Sequence, residues 1–176
     1  MKQAIQTLID DEAAEVDEGS AWTCDDIAAF HAQIELRLPE RLLEYLTQFG
    51  TVFFESPRFA VTFPSGSTFK TELDRIGDRP DKLVHDTKFY LDQYNTQTGQ
   101  FLQAARIPKG YIIVGEAEGK RSKILMDGVN VDSSAIYLWG ISYDPWGEGD
   151  NTMGLGHVSD DLADWLGVMA EDPYGQ

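Results

Sequence analysis

From Ile107 to Trp139 the chain alternates between short apolar runs and turn-forming residues. The runs are Tyr111-Ile112-Ile113-Val114, Lys123-Ile124-Leu125-Met126 and Ala135-Ile136-Tyr137-Leu138-Trp139, separated by Gly115 to Gly119 and by Asp127-Gly128 through Ser133-Ser134. Each is rich in β-branched or aromatic residues and too short for a lone helix, which predicts three antiparallel strands. Such a meander exposes an apolar face that the rest of the chain must cover.

Helical periods flank it and supply the cover. Ile5, Leu8, Ile9 and Ala13 predict an amphipathic first helix with an acidic outer face, broken by Glu15 to Ser20. Thr23 with Asp26 forms an N-cap pair, and Ile27, Phe30, His31 and Ile34 share one face of the next helix, where His31 is expected to pack. Leu38-Pro39 opens a third helix through Leu42, Leu43, Leu46 and Phe49, ended by Gly50. Val52-Phe53-Phe54 and the alternation Phe59, Val61, Phe63 predict two more strands, the first suited to a sheet edge. A mixed-charge helix follows Asp78-Arg79-Pro80, with Leu83, Val84, Thr87, Tyr90, Leu91 and Tyr94 as its stripe. Ser159 is placed to cap a last helix that buries Leu162, Trp165, Leu166 and Met169.

Composition places these elements in one domain over residues 1–176, with residues 1–22 an N-terminal acidic helical extension. Its 42% hydrophobic content suits a folded core. A single cysteine, Cys24, excludes an internal disulfide or a multi-cysteine zinc site. No apolar run reaches the roughly 20 residues of a membrane helix, and the N-terminus turns acidic where a signal peptide would be apolar, so a cytoplasmic location is expected.

Charge changes the picture more. The net charge is −16, and residues 1–30 carry eight acidic side chains against Lys2 alone. Residues 124–176 carry ten acidic residues and no Lys or Arg, while the middle is nearly neutral. Such a field disfavours nucleic acid and anionic membrane as direct partners and attracts cationic proteins. Solubility alone is the plainer explanation.

Candidate chemistry is sparse. His31, His85 and His157 have no metal-ligand spacing, Cys24 has no nucleophile signature, and Gly147-x-Gly149 and Gly154-x-Gly156 lack the Lys-Ser/Thr of a phosphate loop. Asp144, Glu148, Asp150 and Asn151 do not follow the EF-hand spacing. No catalytic residue, metal or cofactor is expected. The stretch from Tyr143 to Asp150 instead sets two aromatics, Tyr143 and Trp146, among Asp144, Glu148 and Asp150, as interfaces do. With Asp10, Asp11, Glu12 and Glu15 at the end of the first helix, these residues form the candidate partner-binding surface. The alternative is that Trp146 folds back on the sheet edge and the acids are bystanders.

The helix LPERLLEYLTQFG, the later IPKGYIIVGEAEG before a strand ending in Asp, the aliphatic-Tyr-x-Trp strand and the final SDDLADWL helix together resemble the SUKH superfamily of Smi/Knr-type domains, over about residues 27–169. The chain departs from that pattern at Phe49-Gly50 and at Val114-Gly115. The resemblance implies an α+β fold with a curved, mainly antiparallel sheet flanked by helices. It also implies a bacterial immunity protein that neutralises a cognate polymorphic or contact-dependent toxin, plausibly a nuclease, by stoichiometric binding. The alternative it leaves open is a regulatory or scaffold domain outside toxin systems.

Overall fold

The computed structural model describes residues 1–92, 94–95, 100–101, 107–140 and 152–175. Among these the chain forms helices α1 (Lys2–Asp10), α2 (Cys24–His31), α3 (Glu40–Phe49), α4 (Pro80–Asp92) and α5 (Leu162–Glu171). The strands are β1 (Ala14–Val16), β2 (Val52–Phe54), β3 (Arg58–Thr62), β4 (Thr68–Ile76), β5 (Tyr94–Asn95), β6 (Gln100–Phe101), β7 (Tyr111–Ala117), β8 (Ser122–Asp127), β9 (Ile136–Gly140) and β10 (Leu155–Ser159).

The expected meander is β7–β8–β9, and every strand pairing among the described residues is antiparallel. The main sheet runs β1-β2-β4-β3-β10-β9-β8-β7, and β7 returns to pair with β4. Six strands thereby close into a barrel. β2 and β1 continue from β4 outside the ring and end the sheet. The architecture is α+β, with β5 and β6 as a separate small pair.

The barrel is buried on both faces where the meander lies. Its inner face carries Val61, Leu73, Ile112, Ile124, Met126, Ile136 and Leu138, in one cluster with Ile5 and Leu8 of α1, Leu42 and Leu46 of α3, and Leu162 and Leu166 of α5. On the outer face Ile113, Leu125, Trp139 and Leu155 lie under Tyr90 and Leu91 of α4, with Ile107 beside them. Burial on both sides is why β7 and β8 read as continuous apolar runs rather than as alternations. Each fully buried aliphatic or aromatic side chain contributes about 1.5–3 kcal/mol.

Local signals mostly hold. Thr23 and Asp26 form a reciprocal cap: the Thr23 hydroxyl accepts the Asp26 N–H at 3.2 Å and the Asp26 carboxylate accepts the Thr23 N–H at 2.8 Å. The Thr23 hydroxyl also donates to the Asp26 carboxylate at 2.7 Å, and this bond, with that from the Thr23 N–H, holds the Asp26 carboxyl below its ordinary value. Gly50 ends α3 at φ 64°, and a side chain there would collide with the Ser20 carbonyl, 2.1 Å from an ideal Cβ. Gly77, at φ 80°, approaches the Gly50 carbonyl just as closely, 2.0 Å from its own ideal Cβ. These contacts, with Trp22 Nε1 donating to the Asp78 carbonyl at 2.8 Å, clamp residues 20–23 to α3 and to the β4–α4 turn.

Several expectations need correction. β2 is not an edge, because β1 pairs on one side of it and β4 on the other. The three-residue β1 escapes notice because it sits in an acidic stretch. β4 was hidden by Lys70, Glu72 and Asp74, which alternate with the inward Thr71 and Leu73. β10 was hidden by glycines, one of which, Gly156, leaves room for Val61. The cap of α5 is Asp161 rather than Ser159: its carboxylate accepts the N–H groups of Ala163 at 2.7 Å and Asp164 at 3.2 Å. His31 is exposed, with Phe30 the buried residue of α2, and Tyr94 belongs to β5 rather than to α4.

Candidate functional site

The acidic end of α1 leads directly into β1, the end of the sheet among the described residues. The register sets Ala14, Glu15 and Val16 opposite Phe54, Phe53 and Val52. Asp17 N–H donates to the Thr51 carbonyl and Glu55 N–H to the Ala13 carbonyl, each at 3.0 Å. By the alternation of an antiparallel ladder, odd-numbered residues of β1 bond inward to β2, and the N–H and C=O of Ala14 and Val16 face outward.

Carboxylates surround this edge. Asp10, Asp11, Glu12, Glu15, Asp17 and Glu18 are all exposed, and none forms an ion pair with a described residue. Residues 3–30 contain no Lys or Arg. Across from Glu15 lies Phe53, a large apolar side chain that remains 46% exposed. Together they make an aromatic surface bordered by negative charge.

Local folding does not account for these acids. Asp10 ends α1 and Asp11 is its C-cap, where the helix dipole is negative and a carboxylate costs about 0.3–1 kcal/mol. One hydrogen bond, from Gln6 Nε2 to Asp10 Oδ1 at 2.8 Å, offsets part of that. Glu12 sits at φ 57°, a left-handed conformation suited to glycine. A sequence serving stability alone would place Lys, Arg, Asn or Gly at these positions.

α1 also packs against α5, so the two acidic ends of the chain are neighbours in space. Glu171 and Asp172 at the end of α5 are exposed as well. Of the residues singled out from sequence, Asp10, Asp11, Glu12 and Glu15 are brought together; Tyr143, Asp144, Trp146, Glu148 and Asp150 lie outside the described residues. The sequence marks Phe53 only as a strand residue. Its signal was the run Val52-Phe53-Phe54, in which a strand with one buried face must turn one of its two aromatics outward.

Elsewhere charge is handled in the opposite way. Beneath α4, Lys123 Nζ donates to Glu116 Oε1 at 2.7 Å, and Arg75 bridges Glu116 at 3.1 Å and Asp78. Lys123 also lies 5.2 Å from the centre of the Tyr90 ring. Burial raises the Glu116 carboxyl, but the Lys123 hydrogen bond and the charges of Lys123, Arg75 and Lys82 outweigh it and leave the group below its ordinary value. These charges bind elements to one another and leave little surface for a partner.

Two further places gather polar side chains. His157 Nε2 lies 2.9 Å from Asp160 Oδ1, but the Asp160 side chain is 97% exposed, so water screens the pair and no buried acid–base group results. A cleft of about 620 Å³ is lined by Arg58, Lys70, Glu72 and Arg121 around Glu118, whose carboxylate is already bound by the Thr71 and Ser122 hydroxyls at 2.9 and 2.6 Å. Among the described residues no group of three His, Cys, Asp or Glu could hold a metal ion. No described helix is long and apolar enough to cross a membrane. No family model, curated protein or solved structure matches this chain.

Proposed function

We propose that this protein is a non-enzymatic immunity protein of the SUKH type, which neutralises a cognate basic toxin by stoichiometric binding through the acidic α1–β1 edge. The observation that carries this reading is the placement of Asp10, Asp11, Glu12 and Glu15: all four are exposed with no ion pair to a described residue, and Asp10, Asp11 and Glu12 stand at backbone positions that disfavour them. A cationic partner would relieve the repulsion that the fold leaves in place. The resemblance to SUKH domains supports the immunity assignment, and the curved antiparallel sheet with its helices is compatible with it. A nuclease is a suitable toxin class, because its phosphate-binding surface is basic and an acidic protein competes for it.

The test is co-expression with the product of the adjacent open reading frame, followed by purification at low and at high salt. One basic partner held one to one and loosened by salt is expected, with growth rescued by this chain and not by an Asp11→Lys/Glu15→Lys variant. Failure to bind or protect contradicts the proposal, as does full protection by the charge-reversed variant.

A further inference from the structure

Resting on that reading, we infer that the partner contributes an extended basic segment that adds to β1 as a further strand of the sheet. Three observations converge on this mode. β1 ends the eight-stranded sheet among the described residues, and by the parity of its ladder the backbone groups of Ala14, a residue only 7% exposed, and of half-buried Val16 point away from β2. Main-chain bonding to such an edge gives affinity, while side chains on alternate positions give selectivity. The acids are distributed along this edge, from Asp10 and Asp11 before it to Asp17 and Glu18 after it.

Charge also selects the occupant. A second copy of this chain would bring Glu12, Glu15, Asp17 and Glu18 against their own counterparts, and like charges on adjoining strands are destabilising. An apolar strand would leave Glu15 unpaired. A strand with Lys or Arg at alternate positions satisfies both the edge and its charge. A long cationic side chain opposite Glu15 also reaches the exposed ring of Phe53, and its aliphatic stem finds apolar cover there. The acids thus keep copies of the protein apart while leaving the edge open to one kind of partner.

The probe is a synthetic peptide of roughly nine residues alternating Lys and Val, compared with the same peptide N-methylated at its three central amides, which keeps the charge but cannot join a sheet. Titrations of the full chain at about 20 mM and about 200 mM salt separate charge from backbone bonding. The parent peptide is expected to bind at least about tenfold more tightly than its methylated form at both salts, and to slow amide exchange at Ala14 and Val16. Val16→Pro removes an outward N–H without touching the ladder to β2 and is expected to produce a similar loss. The methylated peptide reports on wild-type protein should that variant fold poorly. Equal affinity of the two peptides, or unprotected Ala14 and Val16 amides, overturns strand addition while leaving acidic capture standing. No binding of the parent peptide also overturns it, and the co-expression experiment then decides the immunity reading separately.

Discussion

The charges beneath α4 and the charges along the α1–β1 edge use the same residue types for opposite purposes. Glu116, Lys123, Arg75 and Asp78 are largely buried, paired across β4, β7, β8 and the turn after β4, and roofed by Tyr90. Asp10, Asp11, Glu12 and Glu15 are exposed and form no ion pair with a described residue, and the first three are set where the backbone disfavours them. The first group is explained by the fold. The second is explained by something outside it, and the contrast separates structural from functional charge within a chain that is acidic as a whole.

The largest expected effect breaks the buried side of the comparison. Glu116→Ala leaves Lys123 and Arg75 without their shared carboxylate and should destabilise the protein by about 3–5 kcal/mol in urea unfolding. Replacing both partners, as Glu116→Leu with Lys123→Met, should recover much of that loss, because a well-packed apolar pair replaces an ion pair with little penalty. The same carboxylate sets an acid limit. Its folded pKa lies below the ordinary value of 4.5, so its contribution is present above that pH and is lost as pH falls through the folded pKa. The Glu116→Ala variant should therefore show a smaller stability loss than wild type on acidification below about pH 4.5.

Next in size is the effect on binding. Asp11→Lys/Glu15→Lys should weaken the complex with the basic partner by about 10- to 100-fold, and should flatten its salt dependence. Phe53→Ala should weaken it by less, about 3- to 10-fold, with the salt slope unchanged, because the ring contributes contact area rather than charge.

These two regions were also unequally legible in the sequence. The meander, the capping box at Thr23 and Asp26, and the Gly50 stop were readable because each is a local signal with a single backbone consequence. The buried cluster was not. Glu116 and Lys123 are neighbours only through the β7–β8 register, and Arg75 joins them from β4, a strand disguised by its outward charges. At the edge, the acids Asp10 to Glu15 were visible as composition. That they border the end of a sheet depends on β1–β2 pairing across nearly forty residues, and no local period announces a three-residue strand.

The smallest effects are those on stability at the edge, and their sign sharpens the contrast. Glu12→Gly should stabilise the protein by about 0.5–1 kcal/mol, because relief of the left-handed backbone outweighs the added unfolded-state entropy. Asp11→Lys should add about 0.3–1 kcal/mol by matching the negative end of α1, an increment that shrinks with added salt.

The most direct test of the account is to measure both properties on one variant, Asp10→Asn/Asp11→Asn/Glu15→Gln: stability by urea unfolding, and affinity for the purified product of the adjacent open reading frame. Acids held for a partner against the interest of the fold predict that stability rises or holds while affinity falls at least tenfold. Lower stability with unchanged affinity would contradict that claim and return these carboxylates to the structure.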